Sequence, residues 1–269
     1  MCNFNITQIR VMAINVKAEL VGKQVIKDDI MKFSVKSKEM ADCAKPGNFL
    51  EIRVSENIEP LLRRPISIYN IDKENEVVEF IFQIKGKGTK ILSEKRIGEE
   101  IDIIGPLGYG VFDIKKYNKV AIIGGGIGIF PLHELAKQLD SEIKTYLGFR
   151  NKNYVMLEDE FEKVSSQVII TTDDGSYGNK GFAIEFLEQD CKNEKPDIIF
   201  ACGPLPMLKA IKQFSEQESI PCQISLEERM GCGIGACLGC AVEMKTDGKI
   251  KYGHICKQGP VFYANEVEI

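Results

Sequence analysis

Four cysteines near the C-terminus impose the strongest constraint on what this chain can fold into. Three of them fall within nine residues and the fourth follows after fifteen more, in the pattern Cys-x4-Cys-x2-Cys-x15-Cys. This is the ligand spacing of plant-type 2Fe-2S clusters. The segment is dominated by glycine and cysteine, as expected where a cofactor takes the place of an apolar core. We therefore predict that a 2Fe-2S cluster is bound by Cys232, Cys237, Cys240 and Cys256.

The glycines around these cysteines favour a cluster over a zinc ion. Gly231, Gly233, Gly235 and Gly239 allow positive φ angles and a close approach of the backbone to a compact anionic group. Structural zinc usually takes its ligands from two separated cysteine pairs, whereas three of these cysteines share one loop. Zinc remains the alternative. Disulfides fit less well, because nine cysteines in a chain that opens without a signal peptide indicate a reducing compartment.

The composition restricts the possible partners and location. A chain of 269 residues with 44% hydrophobic content is long enough for two domains and a small third module. A net charge of −4, with lysines scattered among acidic residues, gives no basic field for nucleic acid. No apolar run approaches the ~18 residues of a membrane span. The expectation is a cytoplasmic protein that binds neither nucleic acid nor membrane.

The sequence texture changes twice and predicts three domains. Up to about residue 105, short β-branched segments such as VVEFIFQIK alternate with turns, which indicates an antiparallel β-barrel. After Gly110, strands and helices alternate, as in KVAIIGGG followed by PLHELAKQL, which indicates a doubly wound parallel sheet. From about Pro221 this alternation stops. The predicted domains are a barrel over residues 1–112, an α/β nucleotide domain over 113–220 and a small cluster module over 221–269.

A glycine-rich turn in IIGGGIGIFPL predicts a nucleotide-binding site. Gly124, Gly126 and Gly128 fall between a strand and a helix, where backbone amides can hold a pyrophosphate. The usual dinucleotide fingerprint has a third glycine where Pro131 stands. Together with a later strand-end motif, the turn instead resembles the pyridine-nucleotide domain of ferredoxin reductases. That motif comprises Cys202, Gly203 and Pro204.

The resemblance implies that Cys202 lies beside the nicotinamide ring, and a buried structural thiol is the alternative. The choice between NAD and NADP is open. Arg150 ends the second strand and favours NADP by the usual rule, whereas Asp173 and Asp174 end the third and could bind a ribose or simply cap a turn.

The segment Arg64-Pro65-Ile66-Ser67 falls on a predicted barrel strand and resembles the FAD signature of ferredoxin reductases. An arginine can neutralise a diphosphate, and a small hydroxyl can face the flavin without blocking hydride transfer. A glycine-threonine turn about 20 residues further on provides a second phosphate cradle. The resemblance implies FAD contacts at Arg64, Pro65, Ile66, Ser67, Ile81, Phe82, Gln83, Gly88 and Thr89.

The two histidines, Arg63, several phenylalanines and the other cysteines are expected to have structural roles. His133 is expected on a helix surface and His254 near the cluster but not as a ligand; neither forms a catalytic triad, and no acid-base residue is predicted. Arg63 is expected to be solvated. Phe4, Phe33, Phe49, Phe80 and Phe82 are expected in cores, and Cys2, Cys43, Cys191 and Cys222 as small core or surface thiols.

Taken in order, these motifs resemble the electron-transfer subunits of NAD-dependent (class 1B) dihydroorotate dehydrogenases, most closely in ERMGCGIGACLGC. The resemblance implies an oxidoreductase subunit of de novo pyrimidine synthesis. Electrons would pass from an FMN-containing catalytic subunit through the 2Fe-2S cluster and FAD to NAD, an exchanging co-substrate. A heterotetramer with two copies of each subunit is implied.

Two other functions remain open. The small subunits of NADH-dependent ferredoxin:NADP oxidoreductase and of sulfide dehydrogenases have the same layout with another flavoprotein partner. A redox sensor without nucleotide turnover is the third hypothesis, and the intact Arg64, Ser67 and glycine turns argue against it.

Overall fold

An antiparallel barrel forms the N-terminal half of the molecule. The computed structural model describes residues 13–246 and 248–269, so Cys2 and Phe4 lie outside the described residues. The barrel elements are β1 (Ile14–Lys27), β2 (Ile30–Lys36), α1 (Lys38–Cys43), β3 (Phe49–Ile52), β4 (Arg64–Asp72), β5 (Val77–Gln83), α2 (Lys87–Ser93) and β6 (Glu100–Leu107). The six strands close in the order β1-β2-β5-β4-β3-β6, which confirms the predicted barrel.

Side chains on barrel strand β3 alternate between the barrel core and the outer surface of the barrel. Leu50 and Ile52 on β3 point into the barrel core, where Phe33 and Phe80 are also fully buried. Phe49 lies on the opposite face of β3 and packs with residues of the C-terminal half. Because side chains alternate along a strand, Glu51 shares that outward face with Phe49. The outer surface of β3 is thus an interface within the molecule.

The second half is built on a parallel sheet. Its elements are β7 (Lys119–Gly125), α3 (Phe130–Gln138), β8 (Glu142–Phe149), α4 (Glu158–Glu162), β9 (Gln167–Thr172), β10 (Asn179–Lys180), α5 (Ala183–Cys191), β11 (Ile198–Cys202), α6 (Leu205–Glu218) and β12 (Cys222–Ser225). Strands β7 to β12 pair in parallel in the order β10-β9-β8-β7-β11-β12, as predicted for a doubly wound sheet. The described helices include none with the length and apolarity needed to span a membrane.

The C-terminal segment is interleaved with this sheet. A hairpin of β13 (Ala241–Thr246) and β14 (Lys249–His254) follows the cysteine-rich loop, and β15 (Val261–Tyr263) then returns to pair antiparallel with β12. The strand β16 (Val267–Glu268) pairs with β13. The sheet therefore continues past Pro221, where the sequence pattern indicated that the alternation ends. The domain boundaries at 112/113 and 220/221 stay predictions.

Helix α3 packs between the parallel sheet and barrel strand β4, and this buries its polar side. Glu134 is buried and accepts a hydrogen bond from the backbone N–H of Ile71. His133 stacks on Tyr69, with ring centroids 4.6 Å apart, and its Nδ1 atom lacks a hydrogen-bond partner among the described residues. The expectation that His133 lies on a helix surface is wrong, because the barrel covers that surface.

Because His133 is buried, we expect the stability of the fold to decrease in acid. Burial lowers the pKa of His133 to about 4. The unfolded chain binds the proton more tightly, so stability is complete above the ordinary histidine pKa of roughly 6.5 and falls as the pH drops from there to about 4. We expect a loss of about 2 kcal/mol of unfolding free energy between pH 7.5 and pH 5 from this residue. Thermal unfolding of the wild type and of His133→Phe measures it: the variant should lose less stability over this range, and equal losses would contradict the prediction.

Candidate functional site

The four predicted ligand cysteines lie together as two pairs. The Sγ atoms of Cys240 and Cys256 are 3.2 Å apart. The backbone N–H of Cys237 points at the Cys232 sulfur from 3.4 Å. In a 2Fe-2S cluster each iron takes two thiolates, so two adjacent pairs fit that group. Within the described ranges, no three His, Cys, Asp or Glu side chains are arranged around a single metal ion.

Backbone donors in the loop are directed at these sulfurs. The N–H of Gly235 donates to the Cys256 sulfur at 3.2 Å, and that of Ala236 donates to the Cys232 sulfur at 3.3 Å. Burial opposes ionisation of Cys232, but the backbone N–H groups around it outweigh this effect and lower its pKa to about 7. Thiolates held by amide donors are what an iron-sulfur cluster requires. The residues present therefore fit the cluster.

Glycine is needed at specific points in this loop. Gly233 and Gly235 have φ angles of +68° and +81°, which side-chain-bearing residues rarely adopt. A Cβ at Gly231 would lie 3.3 Å from the Cys237 sulfur. His254, two residues before Cys256, anchors the turn through its backbone, whose N–H donates to Gln258. Its Nδ1 atom is buried without a hydrogen-bond partner among the described residues, and its role near the cluster stays a prediction.

A cleft between the barrel and the parallel sheet holds nearly all the predicted FAD residues. Its lining from the other side includes Phe130, Pro131 and Ser225. The predicted residues that line it are Arg64, Pro65, Ile66, Ser67, Ile81, Phe82, Gln83 and Thr89.

Gly88, the remaining predicted contact, lies directly against Arg64. A Cβ at Gly88 would lie 2.6 Å from Nε and Nη2 of the Arg64 guanidinium, so the absent side chain makes room for this cation. The Thr89 hydroxyl accepts hydrogen bonds from the backbone N–H groups of Lys85 and Gly86 and fixes the start of α2. A cation beside a helix N-terminus suits a diphosphate. The cleft therefore fits FAD. Arg63, expected to be solvated, instead forms an ion pair with Asp102 at 2.7 Å.

The two predicted nucleotide motifs meet at the ends of β7 and β11. A Cβ at Gly128 would lie 2.6 Å from Gly203 Cα and 2.7 Å from the Cys202 carbonyl oxygen, so the two loops touch through their backbones. Gly126, with a φ of +55°, faces open space. Gly126, Gly128, Gly203 and Pro204 line a second, larger cleft. Gly124 does not line it but allows Ile129 to pack closely on β7.

Several charged residues complete the second cleft. Arg150 and Asp173 both line it at the ends of β8 and β9. Asp174 instead accepts hydrogen bonds from Ser176 and stabilises the turn. The Cys202 side chain is buried and lines neither cleft, although Ser225 beside it lines the flavin cleft.

Sequence reasoning missed two charged residues that line both clefts, Lys85 and Glu227. Glu227 is solvent-exposed where it lines the two clefts. Their proximity comes from the packing of β5 against the segment after β12, so no local motif marks them. Glu51, buried beside the cysteine loop, was missed for a similar reason.

Known protein families match both ends of the chain. Residues 227–268 match the iron-sulfur cluster binding domain of dihydroorotate dehydrogenase B. Residues 17–112 match the oxidoreductase FAD-binding domain. The cofactors are therefore FAD and an iron-sulfur cluster, in agreement with the sequence predictions.

Similar proteins cover nearly the whole chain. The dihydroorotate dehydrogenase B (NAD(+)) electron transfer subunit of Bacillus pumilus is 42% identical over 256 residues, which span 93% of this chain and 96% of the relative. The subunit of the same name from Fusobacterium nucleatum is also 42% identical, over 251 residues that span 91% of this chain and 95% of the relative. The names of these relatives state that they depend on NAD.

Solved structures have the same fold. A chain in the structure of NADH-dependent reduced ferredoxin-NADP oxidoreductase superposes with a TM-score of 0.82 at 33% identity, covering 94% of this chain and 90% of that one. The cytochrome b5 reductase domain of Ulva prolifera nitrate reductase gives a TM-score of 0.63 at 19% identity, covers 77% of this chain and 94% of that chain, and supports the fold alone. From the relatives and the matching domains together, the chain belongs to the family of electron transfer subunits of NAD-dependent dihydroorotate dehydrogenase B and is an oxidoreductase subunit.

Proposed function

We propose that this chain carries electrons from an FMN-containing dihydroorotate dehydrogenase subunit through its 2Fe-2S cluster and FAD to NAD. The observation that carries the proposal is the adjacency of the two predicted cofactor sites. Phe49 lines the flavin cleft and belongs to the same buried cluster as Cys240 and Cys256. Met230, at the start of the cysteine loop, lines the cleft as well. Phe49 and Met230 thus connect the ligand loop with the lining of the flavin cleft.

The residues of the two clefts have separate tasks in this proposal. Arg64 and the N-terminus of α2 hold the FAD diphosphate, and Ser67 faces the flavin ring. The loops at Gly128 and Gly203 would hold the nucleotide in the second cleft. When bound, FAD links one-electron and two-electron carriers, because it exchanges either number of electrons whereas NAD takes a hydride.

The partner is proposed to dock over the exposed side of the cysteine loop. Cys237 is exposed, and the apolar side chains Ile234 and Leu238 beside it are 56% and 59% exposed. Exposed apolar residues next to an electron-transfer centre suit a protein interface that excludes water. The partner is the FMN subunit, and two copies of each chain form the assembly. Sedimentation of the co-expressed complex measures this stoichiometry.

The test is anaerobic stopped-flow absorbance of the chain co-expressed with an FMN-loaded dihydroorotate dehydrogenase subunit. The complex is mixed with NADH in one experiment and with dihydroorotate in another. Bleaching of the flavin and cluster absorbance by both reductants is expected. Bleaching by NADH alone, with FMN bound in the partner, would contradict the dihydroorotate assignment.

The second candidate is a subunit that couples NADH to ferredoxin and NADP. It is favoured by the 0.82 TM-score and 33% identity to the chain of the ferredoxin-NADP oxidoreductase structure. Reduction by NADH and by reduced ferredoxin, without reduction by dihydroorotate, would support it. No bleaching by NADH would support a redox sensor instead.

A further inference from the structure

A carboxyl group is buried between the barrel and the cysteine loop. Glu51 on β3 is 1% exposed. Neither of its side-chain oxygens has a hydrogen-bond partner in the part of the chain that the structure describes. Burying an ionised carboxylate without a partner costs several kcal/mol. Packing alone does not account for an acidic residue at this position.

The cysteine loop forms the cover over this carboxyl. Glu51 shares the outward face of β3 with Phe49, away from the barrel core. A Cβ at Gly233 would lie 2.4 Å from Glu51 Cγ and 2.8 Å from Oε1. Gly233 directly follows the predicted ligand Cys232. The backbone of the ligand loop therefore passes immediately over the acidic side chain.

The neighbouring cations, Arg63 and Arg64, form hydrogen bonds with groups other than the Glu51 carboxyl. Arg63 pairs with Asp102 through Nη2, and its Nη1 donates to the backbone oxygens of Asp102 and Glu51 at 3.0 Å and 3.4 Å. Arg64 donates to backbone oxygens in the preceding loop. Burial raises the pKa of Glu51 to about 7; Arg63 opposes this rise, the Cys232 thiol adds to it and Arg64 opposes it. The carboxyl thus faces the ligand loop without a direct ion pair.

We propose that the Glu51 carboxylate places a negative charge against the cysteine loop and thereby lowers the reduction potential of the cluster that the loop would hold. The proposal rests on the assignment of the four cysteines as cluster ligands. A nearby negative charge opposes the addition of an electron, and this repulsion is strong where water is excluded. Charges and hydrogen bonds around the ligands are a principal means by which proteins tune iron-sulfur potentials.

The test is an anaerobic redox titration of the full chain loaded with FAD and cluster, followed through the electron paramagnetic resonance signal of the reduced cluster. It is carried out at about pH 9, because a high pH favours the ionised form of a buried carboxyl. The variant Glu51→Gln removes the charge at nearly constant shape, and its midpoint potential should be more positive than that of the wild type. The matched control is Glu100→Gln on β6, whose side chain is 64% exposed, so solvent screens its charge. Its potential should be unchanged.

Each other outcome has a defined meaning. An unchanged potential in Glu51→Gln, with full iron and sulfide content, would overturn the proposal. If that variant loads no cluster, Glu51→Met provides a second neutral side chain of similar size. Loss of the cluster in both variants with FAD retained would also overturn it, because Glu51 would then hold the loop rather than tune the potential. A wild type without iron, sulfide or signal would instead contradict the ligand assignment itself.

Discussion

Replacing Cys237 with serine is expected to abolish electron transfer to the partner while NADH still reduces FAD. Cys237 lies at the exposed end of the cysteine loop, so its loss removes a proposed ligand without opening a core. A serine oxygen is a harder and poorer ligand for cluster iron than a soft cysteine thiolate. Because even residues that only support metal ligands cost about 10-fold to 100-fold when changed, loss of a ligand should lower partner-dependent turnover by at least about 100-fold.

The measurement compares two rates in the same complex, NADH-driven flavin bleaching and dihydroorotate-driven NADH formation. The control is Cys43→Ser, which removes a half-buried thiol at the end of α1. Both rates should stay near the wild-type values in the control. If Cys237→Ser also loses flavin bleaching, the cluster is needed to maintain the fold of the flavin cleft. Normal partner-dependent turnover would show that Cys237 is not a ligand.

Replacing Gly128 with alanine is expected to have the second-largest effect, on the reaction with NADH. The added Cβ would lie 2.6 Å from Gly203 Cα and 2.7 Å from Gly203 N, and these are backbone atoms that cannot turn aside. The two nucleotide loops must therefore move apart. Overpacking of this kind costs about 1–3 kcal/mol of stability, and a displacement near 1 Å can slow a positioned reaction about 100-fold.

Stopped-flow reduction of FAD by NADH and thermal unfolding measure the two effects. Gly148→Ala is the matched control, because Gly148 lines the same cleft but its Cβ would make only ordinary contacts, the nearest at 3.4 Å. The control should show a small change in both measurements. A wild-type rate and stability in Gly128→Ala would contradict the close packing of the two loops.

Local motifs explain why much of the site is predictable from the sequence. Three of the cysteines share one short, glycine-rich loop, so their spacing alone indicates that they lie close together, and the β13–β14 hairpin brings Cys256 to Cys240. The FAD residues come from adjacent strands, so the sequence order Arg64 to Ser67 and then Ile81 to Gln83 translates directly into one cleft. The glycine-rich turns indicate directly where the backbone adopts conformations that other residues avoid. Each of these features is decided within about 25 residues of chain.

Features made by distant parts of the chain are not predictable in this way. Glu51 stands in NFLEIRVS, where alternation alone suggests a solvent-facing acid, but the loop at Gly233 packs against it. His133 occupies a polar position of an amphipathic helix, and strand β4 covers that side. In both cases the local pattern is correct about the element but cannot indicate what packs on its outer face.

Strand β15 can join the sheet only near the end of synthesis, after the rest of the sheet has been made. It pairs with β12 across an intervening segment that contains all four predicted ligand cysteines. Until Val261 to Tyr263 leave the ribosome, one side of β12 has unpaired backbone groups, and such edges favour aggregation. A growing chain therefore presents these cysteines before the sheet gains its last, antiparallel strand. A truncation before Val261 would therefore leave this edge of the sheet unpaired in the finished protein, even where all four cysteines are retained.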